Sequence, residues 1–196
     1  MRRLALLLVL VPVVLLPGCP VAILGGGVAA ISAIEDRRTS GTMLDDDSIE
    51  AAVRRAARER YGDNTHVSVT VFNRSVLLTG EVPDQGRRAE VEKIAREIPN
   101  VRGVTNDLQM GPPSSLGARA NDSLITTRVK ARILDSNKVN PIHVKVVTEA
   151  GVVYLMGIVT EREANDAVEI ARTTGSVIKV VRIFELCKPG DGICPP

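Results

Sequence analysis

The feature that most constrains the fold of this chain is an internal repeat with a spacing of 76 or 77 residues. Several segments of the first half recur in the same order in the second: 46–49 as 122–125, 76–82 as 153–159, 94–96 as 170–172, and Val101 and Val104 as Val177 and Val180. Co-linear matches of this kind indicate a duplication, so both halves are expected to fold in the same way.

Each unit has the pattern of a helix, two strands, a second helix and a last strand. In the first unit, valines at 67, 69 and 71 alternate with polar residues, which is typical of a half-buried strand. Asp46 or Asp47 is expected to cap the first helix. A second helix is predicted over 85–98, and a last strand over 101–110. The sequence thus predicts an α+β fold with two tandem α-β-β-α-β units, each a three-stranded sheet with two helices on one face.

The N-terminus has the pattern of a secretion signal. Arg2 and Arg3 precede an apolar run over 4–16, which is too short for a bilayer span of about 20 residues and is typical of a signal peptide. Leu16-Pro17-Gly18-Cys19 resembles the lipobox of bacterial lipoproteins, although Ala or Ser is usual where Pro17 stands. We predict cleavage after Gly18 and lipidation of the Cys19 thiolate. An uncleaved anchor and an ordinary secretory peptide are the alternatives.

These features divide the chain into six parts: a signal peptide (1–18), a lipidated N-terminus with a flexible tether (19–44), the first unit (45–110), a linker (111–120), the second unit (121–186) and a cysteine-containing tail (187–196). Removal of Arg2 and Arg3 with the signal leaves 23 basic and 23 acidic residues. A neutral mature chain with few aromatic residues argues against nucleic-acid binding.

The repeated unit resembles a known family. Its length, its element order and Val-x-Leu-x-Gly-x-Val in the second strand resemble the BON domain, and 121–127 and 155–164 carry the likeness most clearly. A lipobox followed by two such units resembles the dual BON-domain outer-membrane lipoproteins of the division- and outer-membrane-stress-associated lipid-binding family. The resemblance implies binding of anionic phospholipid through the second unit and a role in outer-membrane integrity. Pro20, rather than Asp, after the cysteine implies transfer to the outer membrane, with the protein on its periplasmic face.

The remaining reactive residues predict no catalytic or metal site and no cofactor. Cys187 and Cys194 lie in a Gly/Pro-rich tail, where a disulfide is expected in an oxidising compartment; a metal site is the alternative. His66 and His143 begin the first strand of each unit and alternate with valines, so we expect both to face solvent. The acidic run 45–47 is explained by helix capping.

The first helix of the second unit, roughly 123–135, is the candidate lipid-binding surface. Ile125, Val129 and Ile133 recur at helical spacing and are assigned to the core face. An exposed apolar residue beside cations suits a membrane interface. The predicted phospholipid site therefore comprises Leu124, Thr127, Arg128, Lys130, Ala131 and Arg132. An aromatic residue would suit the interface better than Leu124.

Two functions remain open from the sequence. The first is a non-enzymatic, lipid-anchored protein that binds anionic phospholipid and supports envelope integrity. The second is a membrane-tethered adaptor that docks a protein partner, such as outer-membrane assembly machinery.

Overall fold

The computed structural model describes residues 36–62 and 65–194. The predicted signal peptide, the lipidation site Cys19 and most of the predicted tether lie outside these residues. Among the described helices, none has the length and apolar character needed to cross a membrane.

The first repeat contains two helices and four strands. Its elements are α1 Ser40–Tyr61, β1 His66–Phe72, β2 Ser75–Val82, α2 Gln85–Glu97, β3 Gly103–Asn106 and β4 Gln109–Met110. Strand β2 is central: β1 pairs with it antiparallel, and β3 and β4 pair with it in parallel.

The predicted last strand of this repeat is interrupted. The Asn106 side chain accepts a hydrogen bond from the Leu108 backbone N–H at 3.2 Å and donates to the Arg88 carbonyl at 3.0 Å. A side chain that binds neighbouring backbone in this way competes with the strand ladder. Leu108 is thereby turned into the core, where it is fully buried.

The second repeat contains α3 Leu116–Ser136, a 3₁₀ turn Pro141–His143, β5 Val144–Glu149, β6 Val152–Val159, α4 Glu161–Arg172 and β7 Lys179–Leu186. The strand order is β5-β6-β7, with β6 antiparallel to β5 and parallel to β7. The predicted α+β fold with two repeated units is therefore confirmed.

Each repeat has its own core between its helices and one face of its sheet. In the second repeat, Ile125, Val129 and Ile133 pack on Val146 and Leu155; the first repeat packs Ile49 and Val53 of α1 in the same way.

The glycine of the Val-x-Leu-x-Gly-x-Val motif is required for a steric reason. A Cβ at Gly157 would overlap the carbonyl oxygen of His143 on the neighbouring segment, and Gly80 stands in the same relation to His66.

The second face of each sheet is covered by the other repeat. Phe72 and Leu77 of the first repeat form one buried cluster with Tyr154, Met156 and Ile158 of the second. Both central strands are consequently buried on two faces, which explains the nearly continuous apolar sequence of β6. We refer to this cluster as the shared core.

The predicted capping role of Asp46 or Asp47 is wrong. Helix α1 begins six residues before Asp46, and its N-cap is Thr39, whose hydroxyl accepts from the Thr42 N–H. Asp46 is buried and accepts instead from the backbone N–H groups of Asn73 and Arg74, at 2.8 and 2.6 Å.

Asp122 does the same in the second repeat, where it accepts from Ala150 and Gly151 at 3.0 and 2.9 Å. The residues of both hairpin turns, 73–74 and 150–151, have positive φ, as two-residue hairpin turns require. A carboxylate from the first helix therefore fixes the hairpin of each repeat.

The C-terminal end of the predicted tether is ordered. Arg37 donates to the Glu163 carboxylate at 2.7 and 3.0 Å and to the Ile158 carbonyl at 2.9 Å. Arg38 pairs with Asp46 at 3.0 Å. Arg37 thus joins the segment before α1 to the second repeat, and Arg38 joins it to α1. Since α1 begins at Ser40, a flexible tether up to residue 44 is contradicted.

Candidate lipid-contacting face of helix α3

Helix α3 begins earlier than the sequence pattern suggested. The hydroxyl of Ser115 accepts from the Ala118 N–H at 3.2 Å and caps the helix, which has 21 residues. Residues 116–120 are therefore helical rather than part of a linker. The predicted core side is correct, since Ile125, Val129 and Ile133 are all buried.

The side of α3 away from the core carries an exposed apolar surface. Leu116, Leu124 and Leu134 are 82%, 55% and 61% exposed. With about 100° of rotation per residue, these leucines fall on one side of the helix together with three exposed small residues. We call this surface the α3 ridge; it comprises Leu116, Ala120, Leu124, Thr127, Ala131 and Leu134.

Three ridge residues were not predicted. Leu116 and Ala120 were missed because they were assigned to a linker, although they continue the helical spacing back from Leu124 at i−8 and i−4. Leu134 lies within the predicted helix, and its position on the outer side could have been read from its spacing of three residues from Ala131.

Two of the predicted cations flank the ridge. On the same helical geometry, Arg128 and Lys130 lie about 80° to either side of its centre. Both are exposed, and neither makes a hydrogen bond or ion pair with any residue that the structure describes. Lys130 also lines a cleft of about 450 Å³ with Phe72, Ile142 and Lys145.

Arg132 has a different role from the predicted one. Its guanidinium donates to the Ile170 carbonyl at 2.9 Å and to the hydroxyls of Thr174 and Thr173 at 2.7 and 3.1 Å. These acceptors lie at the C-terminal end of α4, where a cation also complements the helix dipole. Arg132 thus joins α3 to α4, and its donors are not directed outward.

The first repeat lacks a comparable surface. The positions of α1 that match the ridge at an offset of 76 residues are Ser40, Leu44, Ser48, Ala51, Arg55 and Arg58. Only one of them is a large apolar residue, and two are arginines. The asymmetry between two otherwise matching helices marks α3 as the more specialised surface.

The prediction that His66 and His143 face solvent is wrong. The side chain of His66 is 19% exposed, and its Nδ1 lies 3.1 Å from Glu81 and 3.7 Å from Glu149. The side chain of His143 is 11% exposed and lies 3.6 Å from Glu163. The sequence pattern placed them on the sheet face away from the helices, but the other repeat and the chain before α1 cover that face.

This arrangement brings together three residues that the sequence pattern did not place near one another. His66, Glu81 and Glu149 bring three potential ligand atoms within 4.8 Å of one another.

Glu163 is held as a carboxylate. Burial acts to raise its pKa, but hydrogen bonds from the Arg37 side chain and from Thr160 lower that pKa to about 2. The Thr160 hydroxyl and backbone N–H form a capping box with Glu163 at the start of α4. This carboxylate has a structural role.

In the C-terminal tail, Cys187 and Cys194 are joined by a disulfide with Cα atoms 6.1 Å apart. The Asp191 carboxylate accepts from the backbone N–H groups of Lys188, Ile193 and Cys194, which lowers its pKa. The disulfide leaves neither sulfur available as a thiolate ligand.

Comparisons with known proteins agree with the repeat. The family model for the BON domain matches residues 45–112 and 121–187. "Outer membrane lipoprotein DolP" of Haemophilus influenzae is 34% identical over 94% of this chain and 96% of its own. A "21 kDa hemolysin" of Actinobacillus pleuropneumoniae is 30% identical over 76% and 78% of the two chains. "Osmotically-inducible protein Y" of Escherichia coli is 33% identical over 71% and 72%.

Proposed function

Because the chain belongs to the BON-domain family, we propose that it is a non-enzymatic lipoprotein of the outer membrane whose second BON domain binds anionic phospholipid through the α3 ridge. The observation that carries the proposal is the exposure of three leucines on one side of α3. The relative named as an outer-membrane lipoprotein, which aligns over nearly the whole chain, supports the location.

The ridge has the chemistry that a membrane interface requires. Full burial of a leucine side chain contributes roughly 1.5–3 kcal/mol. The exposed fractions of Leu116, Leu124 and Leu134 add up to about two leucines, so insertion of the ridge would contribute about 3–6 kcal/mol. Arg128 and Lys130 would each add about 1 kcal/mol near an anionic surface. The apolar term gives membrane binding, and the cations give the preference for anionic headgroups.

The lipid on Cys19 would make this modest affinity sufficient. Residues 19–35 separate the anchor from the first described residue, Asp36, and they can reach at most roughly 60 Å. Anchoring within that distance gives the ridge a high effective concentration at the membrane. Several acyl chains on one cysteine also hold a protein at a bilayer more stably than one chain does.

The test measures vesicle binding by the mature chain without its anchor, residues 20–196. We expect the protein to sediment with vesicles containing phosphatidylglycerol and not with pure phosphatidylcholine vesicles. Leu124→Ala removes three carbon atoms that are about half exposed and should weaken binding about tenfold. Arg128→Glu reverses one charge and should weaken it about 30-fold.

Helix α1 of the same chain supplies matched controls. Leu44 is 68% exposed, and Arg55 is exposed on the same helix, so Leu44→Ala and Arg55→Glu repeat the two substitutions outside the ridge. Both variants should bind like the unaltered protein. Equal binding to the two vesicle types, or equal losses in the ridge and control variants, would refute lipid binding by α3. Absence of vesicle binding, with a protein crosslinked at the ridge, would favour the adaptor function instead.

A further inference from the structure

Three potential metal ligands meet where the two repeats pack together. His66 Nδ1 lies 3.1 Å from Glu81 Oε2 and 3.7 Å from Glu149 Oε1. One ligand atom from each of these three described residues lies within 4.8 Å of the other two. His66 and Glu81 belong to the first repeat, and Glu149 belongs to the second.

The fold explains how the three residues converge. His66 and Glu81 are direct partners in the antiparallel ladder of β1 and β2, so their side chains share one face of the sheet. Glu149 is the last residue of β5 and is brought against this face by the shared core.

The duplication alone would not produce this set. At the offset of 77 residues, the position of the second repeat that matches Glu81 is Ile158. The first strand of the first repeat ends at Phe72, whereas the first strand of the second repeat ends at Glu149. Both carboxylates therefore stand where the other copy of the unit has a large apolar residue.

The two carboxylates are costly without a cation. Glu149 is 8% exposed, and the Glu81 side chain is 13% exposed. A buried carboxylate requires a partner charge or a proton.

The surrounding groups hold the ligands in place. Glu81 Oε2 accepts from the Ser114 N–H at 2.9 Å, and the Thr79 hydroxyl lies 3.5 Å from Glu149 Oε2. The Arg119 side chain is directed to the Ser114 hydroxyl at 3.1 Å. Supporting bonds of this kind orient metal ligands and tune their basicity.

The spacing fits a small transition-metal ion. Metal–ligand bonds of about 2.0–2.1 Å place tetrahedral ligand atoms about 3.3–3.5 Å apart, between the two distances that His66 makes. Imidazole favours Zn²⁺ over the oxygen-seeking Mg²⁺ and Ca²⁺. Clefts of about 340 and 250 Å³, both lined by His66 and Arg119, provide access.

We propose that His66, Glu81 and Glu149 form a zinc site that joins the two BON domains, with water as the fourth ligand. Because the ligands come from both repeats, bound zinc stabilises their packing. The site is separate from the α3 ridge and does not depend on lipid binding.

The experiment uses tag-free residues 20–196, treated with EDTA and dialysed. Calorimetric titration with ZnCl₂ at pH 7.5 should give one zinc per chain, and zinc should raise the melting temperature. Co²⁺ in place of zinc should give the visible absorption of a four-coordinate site. Mg²⁺ and Ca²⁺ at the same concentration should produce no shift.

The variants distinguish a site from a folding effect. Glu149→Gln keeps the side-chain shape and removes a buried charge, so its metal-free melting temperature should not fall, while zinc affinity should fall at least tenfold. His66→Asn should lose zinc affinity as well. His143 is the other of the two histidines in the chain, and His143→Asn should leave zinc affinity unchanged.

Two results would overturn the proposal. One is no calorimetric response to zinc in the unaltered protein, which would leave the set as direct contacts between His66 and the two carboxylates. The other is zinc binding that Glu149→Gln and His66→Asn leave intact, which would show an adventitious ion only.

Discussion

Replacing Asp122 tests the device that fixes the hairpin of the second repeat. Its buried carboxylate accepts the N–H groups of Ala150 and Gly151 at 3.0 and 2.9 Å. Each hydrogen bond to a charged group contributes about 1.5–3 kcal/mol, so Asp122→Ala should lower the free energy of unfolding by about 3–6 kcal/mol. Asp122→Asn keeps one acceptor oxygen and should lower it by about half as much.

The assay is equilibrium unfolding in urea followed by far-ultraviolet circular dichroism, since the chain has no tryptophan. With a slope near 2 kcal/mol per molar urea, the midpoint of Asp122→Ala should fall by about 1.5–3 M. Asp135→Ala is the matched control, because Asp135 is exposed on the same helix. A loss of less than about 1 kcal/mol with Asp122→Ala, or a loss no larger than that of Asp135→Ala, would show that Asp122 does not fix the hairpin.

Three further substitutions test other contacts. Gly157→Ala would force a Cβ into a neighbouring carbonyl oxygen and should lower the unfolding free energy by more than about 2 kcal/mol. Gly103→Ala is the control, because its Cβ would meet nothing within 4 Å, and it should change the unfolding free energy far less. Equal urea midpoints for the two variants would contradict the steric explanation. The pKa of Glu163 is lowered to about 2 in the folded protein, so its contribution to stability is fully present above its unfolded pKa of about 4.3 and is lost as the pH falls toward 2. The difference in unfolding free energy between the unaltered protein and Glu163→Gln should accordingly shrink over that range, and a constant difference would exclude the carboxylate charge as its source. Arg132→Gln should lower the unfolding free energy by about 1–3 kcal/mol and leave vesicle binding unchanged. Arg128→Gln should weaken vesicle binding and leave the unfolding free energy unchanged. A loss of vesicle binding with Arg132→Gln would show that Arg132 belongs to the lipid site after all.

The repeat and its hydrophobic spacing were sufficient to predict the fold and the core side of α3. Ile125, Val129 and Ile133 recur every four residues, and a spacing of this kind allows one helix orientation against a sheet. The strand alternation in 67–71 likewise identified which residues share a face.

The covering of the second sheet face could not be predicted in this way. Alternation assigns His66 to the face away from the helices, but it does not say whether water or another unit lies there. Strand β6 is almost continuously apolar, which is the pattern of a strand buried on two faces, whereas β2 carries Thr79 and Glu81 and shows this pattern less clearly. The burial of the histidines and the His66–Glu149 contact were therefore not predicted.

The start of α3 and the role of Asp46 were misjudged for a related reason. Ser115 is an ordinary N-cap residue, but it follows two prolines that favoured a linker. Asp46 is of a residue type that often caps helices, yet the backbone N–H groups that it accepts from lie 27 and 28 residues further along the chain. Local sequence rules describe partners within a few residues, and these two partners are not local.

The shared core has a consequence for the origin of the tandem chain. Phe72 and Leu77 are covered by Tyr154, Met156 and Ile158, so a fragment with one repeat would present an apolar sheet face to water and self-associate. Joining two copies of the unit in one chain covers both sheet faces without a second molecule. Fusion removes the requirement that both halves be identical, and it allows one outer helix to become apolar while the other remains charged.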